Sequence, residues 1–151
     1  MEWRCRLRPA ATTTLRDEIA HSPAETEAFG ERFGKRLRVG DMVLLTGELG
    51  AGKTTFVRGV ARGTESNAPV ASPTFQLVRV YPGRVQLAHI DLYRIETPSE
   101  LGDLGLDELL DQGAVVVEWG DRLDAPDAAL IDLEHLGGER RIVRTKRDLS
   151  H

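Results

Sequence analysis

Apolar and polar residues recur at two periods along this chain, and the switches between them mark its elements. Trp3, Cys5 and Leu7 alternate with Arg4, Arg6 and Arg8, the two-residue period of a strand with one buried face. An edge or near-edge strand is expected there. From Ser22 to about Leu37 the period lengthens: Ala28, Phe29, Phe33 and Leu37 recur on one side, Ser22 and Pro23 supply a cap and a first-turn residue, and Glu25 follows the cap at three. This segment predicts an amphipathic helix. Gly40 and Asp41 then turn the chain into Met42-Val43-Leu44-Leu45-Thr46, a short apolar run of the kind buried on both faces of a parallel sheet.

Phe75 to Tyr81 and Val85 to Ile90 are rich in β-branched and apolar residues, with Pro82-Gly83 between them, which predicts a hairpin. Leucines at 101, 104, 106, 109 and 110 lie among acidic residues and are interrupted by Gly102 and Gly105, the pattern of short helical turns packing one leucine face. Ala114 to Val117 predicts a buried strand, and Ala129 to Leu133 with Arg141 to Thr145, across Gly137-Gly138, predicts a closing hairpin. A chain of 151 residues buries enough apolar surface for one domain. The expected fold is therefore a single α/β domain of three layers, with a mixed, mostly parallel central sheet and antiparallel additions from the hairpins.

Composition narrows the setting. Hydrophobic residues are 40% and charged residues 29% of the chain, and no apolar run is long enough to span a bilayer. The start, MEWRCRLRPA, carries Glu2 and alternating arginines where a signal peptide needs an apolar segment. Cys5 is the only cysteine, and the four histidines lack the spacing and cysteine companions of a metal site. A reducing cytoplasm is expected, with no membrane partner. The net charge of −4 argues against holding nucleic acid by broad counterion release, so any RNA role is expected to be indirect.

The chemistry is concentrated after the apolar run. Gly47-Glu48-Leu49-Gly50-Ala51-Gly52-Lys53-Thr54-Thr55 matches G-x-x-x-x-G-K-[ST] at every fixed position, with a strand pattern before it and helix-compatible Phe56 to Ala61 after it. The glycines let successive N–H groups curl into one concavity, and the following helix adds its unpaired donors and positive dipole end. Leu49 to Thr55 is thus a candidate phosphate cradle: Lys53 reaches the β and γ phosphates, and the Thr54 hydroxyl completes a magnesium shell. Magnesium and the attacking water need a carboxylate at a neighbouring strand end. Leu87 to Asp91 and Val115 to Glu118 each end in one, and spacing alone does not rank them. Ser72-Pro73-Thr74-Phe75 offers the Thr74 hydroxyl, a candidate switch sensing γ-phosphate and magnesium.

GELGAGKTT, VASPTFQLV, HIDLYR and VVVEW, in this order and spacing, resemble the TsaE family of tRNA threonylcarbamoyladenosine biosynthesis ATPases, from about Ser22 to Arg141. Glu48 stands where that family usually has Asp, and Arg62 to Ser66 replaces a more apolar segment. The resemblance implies a small P-loop ATPase that works with TsaB-like and TsaD-like partners when the adenosine next to a tRNA anticodon is modified. It implies ATP and Mg2+ as ligands, Thr54 and Glu118 as magnesium ligands, Lys53 as phosphate clamp and Asp91 as a second acid near the γ-phosphate. It further implies a switch-like loop at Ser72 to Phe75, Trp119 beside the nucleotide, and outlying nucleotide contacts at Pro23, Thr26 and Gly138.

Three other functions fit parts of the chain. Thr145-Lys146-Arg147-Asp148 fits the [NT]-K-x-D pattern of a guanine reader, yet no D-x-x-G follows the phosphate loop and three residues follow the pattern. A small-metabolite kinase on the same loop needs a basic lid, and no arginine-rich lid segment is apparent. A protein that binds ATP only as a conformational signal needs no hydrolysis of its own. Arg140, Arg141, Arg144, Lys146 and Arg147 form a basic cluster that reads either as a surface for tRNA or an acidic partner, or as a solvated edge strand.

Overall fold

The computed structural model describes residues 15–48, 50–70, 78–93, 102–120 and 123–151. The elements run β1 (Arg16–Ala20), α1 (Pro23–Gly34), β2 (Met42–Thr46), α2 (Lys53–Gly63), β3 (Val78–Tyr81), β4 (Gln86–Asp91), α3 (Leu106–Gln112), β5 (Gly113–Glu118), β6 (Ala129–Gly137) and β7 (Arg140–Arg147). The strands form one sheet in the order β1-β7-β6-β2-β5-β4-β3. Strands β6, β2, β5 and β4 are mutually parallel, whereas β7, β1 and β3 pair antiparallel. This is the mixed α/β P-loop fold that the residue pattern predicts, with the phosphate-loop strand β2 at the centre.

The two faces of the sheet bury two apolar clusters. On one face Val43, Leu45, Leu87, Val116 and Ile131 meet Phe33, Phe56, Val57 and Val60 of the paired helices α1 and α2. On the other, Leu44, Ala88, Ile90, Val115 and Val117 meet Leu106 of α3 together with Leu123 and Ala125. Four residues of β2 and all of β5 are buried, as expected of unbroken apolar runs.

Helix α1 begins as its sequence predicts: the Ser22 hydroxyl accepts the Glu25 N–H at 3.2 Å and Pro23 opens the first turn. It ends at Gly34, short of Leu37, and Ala28 is exposed. Its buried line is Thr26, Gly30, Phe33 and Gly34, because α1 meets α2 through glycine. A Cβ on Gly30 would strike the Phe56 carbonyl, and one on Gly59 the Glu27 carbonyl, so the two backbones approach at a distance only glycine permits.

The outer strand on the β7 side is Arg16–Ala20, in which only Ala20 is buried, so no period announces it. The alternation at residues 3–7, the first three residues of the expected Phe75 hairpin strand and Leu101 lie outside the described residues. Among the described residues no helix is long and apolar enough to cross a membrane.

Because β2, β4, β5 and β6 are parallel, their C-terminal ends share one edge of the sheet. The β6–β7 turn lies at that edge, where Gly137 pairs with Arg140. So does the exit of β1, where Ala20 pairs with Arg141. Ligands of open α/β sheets bind at this edge.

Candidate functional site

The phosphate loop leaves β2 and enters α2 at this edge. Gly47, Gly50 and Gly52 have φ of 136°, 80° and 96°, conformations that side chains resist, and they curl the backbone tightly enough for the Ala51 N–H to reach the Glu48 carbonyl at 3.1 Å. Gly52 precedes α2 without a side-chain cap, and the first turn of α2 holds no acidic residue. No side chain of α2's own cap or first turn therefore neutralises the positive end that faces the loop.

Lys53 is buried and turned back on the loop. Its ammonium donates to the Gly47 carbonyl and to the Glu48 carbonyl at 3.0 Å, and it lies 4.1 Å from the centre of the Trp119 ring. Trp119 itself has φ of 59°, an uncommon conformation for a bulky residue, which swings its ring from the end of β5 back over the loop. Tyr93 packs against Trp119, with ring centres 5.1 Å apart. Thr54 and Thr55 occupy the first turn of α2.

Asp91 and Glu118 end β4 and β5 and are register partners. Glu118 is buried, and its Oε2 lies 2.7 Å from Nε2 of the fully buried His89. Burial raises the Asp91 carboxyl above its ordinary value; the Tyr93 N–H opposes the rise, Glu118 adds to it, and His89 and Lys53 pull it down. Two acids and an ammonium thus meet beside a helix N-terminus. Among the described residues no three His, Cys, Asp or Glu side chains cluster as a metal site. A cation here would share its shell with a ligand. The donor set fits Mg2+: the Thr54 hydroxyl and the Glu118 carboxylate are hard oxygen donors, and Asp91, raised first by burial and then by the Glu118 charge, stands beside them as a second acid.

On the other side of β2 the β6–β7 turn carries Gly138, with φ of 57°. Its carbonyl accepts from His135 Nε2 at 2.9 Å and from Arg141 Nη1 at 3.0 Å. A cavity of about 640 Å³ lies between the loop and β6, lined by Glu48, Gly50, Ala51, Asp132, Glu134 and His135, a size suited to a small-molecule ligand. Pro23 is exposed at the start of α1, and Thr26, one turn on, is buried. Leu49 and Thr74 lie outside the described residues.

Sequence reasoning gave no role in this site to two residues that stand here. His89 shares a strand face with Asp91, a relation the two-residue period alone discloses. Arg141 crosses Gly52 from a distant strand, and no local pattern signals that. The basic cluster is partly internal: Arg144 binds Glu134, lies 3.4 Å from Asp132 and 3.7 Å from Asp17, and Arg147 donates to the Pro126 carbonyl. The guanine-reader pattern is also spoken for. Thr145 is buried in β7, and Asp148 is held by Arg16 at 3.1 Å and Arg36 at 3.0 Å.

The sequence model of the family described as threonylcarbamoyl adenosine biosynthesis protein TsaE matches residues 20–144. Relatives named tRNA threonylcarbamoyladenosine biosynthesis protein TsaE include one of Mycobacterium tuberculosis, 41% identical over 109 residues, covering 66% of this chain and 65% of that protein. Another, of Rickettsia typhi, is 34% identical over 133 residues, covering 85% of this chain and 92% of that protein. The chain's match thus spans just under two thirds of the mycobacterial relative. The crystal structure of Bacillus subtilis YdiB is similar with a TM-score of 0.70 at 30% identity, over 86% of this chain and 83% of that one.

Proposed function

This chain belongs to the TsaE family, and from that premise we propose that it binds ATP with Mg2+ and hydrolyses it slowly. In this reading turnover supports a complex with TsaB-like and TsaD-like proteins that makes threonylcarbamoyladenosine at the adenosine next to a tRNA anticodon. The observation that carries the reading is the meeting of Lys53, Asp91 and Glu118 at one sheet edge, beside the uncapped N-terminus of α2.

The N–H groups of Leu49 to Thr55 and the end of the α2 dipole hold the β-phosphate. Lys53 leaves the Gly47 and Glu48 carbonyls for the β and γ oxygens, replacing neutral acceptors by anionic ones. Thr54 and Glu118 would hold the magnesium ion, which when bound would neutralise charge on the phosphates. His89 keeps the Glu118 carboxylate in one rotamer, since each buried group is the other's partner. Asp91, close to the γ-phosphate and not a ligand of the loop, orients the attacking water. Attack on the γ-phosphorus breaks its bond to the β–γ bridging oxygen and releases ADP and phosphate. The Trp119 ring lies over the Lys53 ammonium and Tyr93 packs against that ring. No arginine is assigned to the developing charge, so slow turnover is expected without partners. The net charge of −4 supports an indirect role toward tRNA, through the partners.

ATP hydrolysis measured with and without the partner proteins and tRNA tests the reading. Wild type should be stimulated by them, and Lys53→Ala and Glu118→Ala should each lose the stimulated rate. Stimulated hydrolysis that survives both substitutions overturns the assignment.

A further inference from the structure

Unlike Arg16, Arg36 and Arg144, which reach carboxylates, Arg141, like Arg84, reaches only backbone carbonyls among the described residues. Its Nη1 is spent on its own turn, on the Gly138 carbonyl at 3.0 Å and the Arg140 carbonyl at 2.9 Å. Its Nε is buried and has no hydrogen-bond partner. Buried donors are rarely left so, because each forfeits a bond to water.

The place of the side chain sharpens the point. A Cβ built on Gly52 would lie 3.6 Å from Arg141 Nε, 3.7 Å from its Cγ and 3.8 Å from its Cδ. The arginine stem therefore lies across the residue that opens α2, with the buried Nε over the helix N-terminus. Two like charges meet there, the guanidinium and the positive end of α2, and Lys53 is the next residue along. Partial desolvation and mutual repulsion both disfavour this arrangement in the empty protein. An anion between them relieves both and gives the bare Nε–H an acceptor.

Which part of the anion follows from the sheet order. Asp91 and Glu118 stand on β4 and β5, to one side of β2, and Arg141 stands on β7, beyond β6 on the other. If the magnesium ion and γ-phosphate lie toward the acids, the phosphate chain leaves the loop toward Arg141 at its nucleoside end. We propose that Arg141 is a nucleotide-binding residue whose guanidinium takes the α-phosphate of a bound nucleoside di- or triphosphate, letting go of the Gly138 and Arg140 carbonyls as it does so. This rests on the ATP-binding reading above and adds a contact from the β6–β7 hairpin. It also ties the turn's shape to occupancy of the loop.

Calorimetric titration of ATP and of ADP, each with magnesium, into wild type, Lys53→Ala, Arg141→Met and Arg141→Lys tests it. Methionine keeps an aliphatic stem across Gly52 and removes the charge. Arg141→Met should weaken ATP and ADP by the same factor, about tenfold or more for a charge-assisted hydrogen bond, and Arg141→Lys should recover part of the loss. The unfolding temperature of ligand-free Arg141→Met should not fall, because the charge it removes is unfavourable there; Arg141→Gln serves if the methionine variant does not fold. Equal affinities in wild type and Arg141→Met, or a loss confined to ATP, overturn the inference while leaving the phosphate loop intact. A wild type that binds neither nucleotide overturns the underlying reading instead.

Discussion

His89 Nε2 lies 2.7 Å from Glu118 Oε2, and neither side chain has another hydrogen-bond partner among the described residues. His89 is fully buried, Glu118 nearly so, and they sit on the adjacent parallel strands β4 and β5. An ionised carboxylate only accepts, so the Nε2–H of His89 donates to it, and Nδ1 is buried with no hydrogen-bond partner among the described residues. Removing either group leaves the other buried and unbonded, which costs more than the hydrogen bond contributes. His89→Ala should lower unfolding free energy by about 2–3 kcal/mol in urea titrations. A double-mutant cycle with Glu118→Ala should show coupling above about 0.5 kcal/mol. Strict additivity would mean the two residues are structurally independent.

The Lys53 ammonium rests 4.1 Å from the Trp119 ring centre, where it perturbs the indole and is attracted by it. Phosphates that draw Lys53 away remove that cation, so ATP with magnesium should change Trp119 emission. Trp3, the other tryptophan, is the background, and Trp119→Phe should abolish the change. Lys53→Met should eliminate the emission change and weaken ATP by roughly ten- to a hundredfold, the worth of a charge-assisted bond to phosphate. An unaltered emission change in Lys53→Met would show that the signal does not come from this contact.

Some of this was legible in the residues and some was not, for a physical reason. MVLLT and AVVV announce the central strands because burial on both faces leaves no polar position. The phosphate loop is readable because its work needs glycine and lysine at fixed spacing within nine residues. Asp91 and Glu118 are readable as strand ends, although their adjacency depends on β4 and β5 pairing. What local pattern misses is contact between distant segments. The Arg141 stem on Gly52 depends on the hairpin's register and on the loop's curl together. Helix α1 misleads for a related reason: apolar Ala28 faces solvent while Gly30 and Gly34 face α2, and a hydrophobicity pattern has no means of counting a glycine as a contact.

That glycine contact is open to test. Gly59 lies in the middle of α2, where alanine gains about 1 kcal/mol of intrinsic helix propensity. A Cβ there would nevertheless run into the Glu27 carbonyl oxygen of α1, and overpacking of this kind costs about 1–3 kcal/mol or more. Steric cost should win, and Gly59→Ala should lower stability by about 1–2 kcal/mol in thermal or urea unfolding. Gly102 has open space around its Cβ direction, so Gly102→Ala should stay within about 0.5 kcal/mol of wild type. A stabilised Gly59→Ala would show that the two helices can separate without penalty.

Asp148 ties the end of β7 to β1 and to the residues after α1 through Arg16 and Arg36. Burial alone would raise its carboxyl, yet the Leu149 N–H at 2.8 Å and the two guanidiniums together hold it below its ordinary 3.8. A carboxyl lowered by folding binds its proton less readily in the folded than in the unfolded chain. Its contribution to stability is therefore complete above the unfolded value, about 4, and is lost as pH falls through the folded one. The guanidiniums stay charged throughout, so the carboxylate alone sets the window. Arg16 and Arg36 are 47% and 40% exposed, and solvent screening keeps the contribution near 0.5–1 kcal/mol. Asp148→Asn should be less stable than wild type by about that amount from pH 7 to pH 5. The gap should close as pH drops below about 4, and 1 M salt should shrink it at neutral pH. A gap that persists undiminished at pH 3 would place the stabilisation in packing around Leu149 and not in the carboxylate's charge.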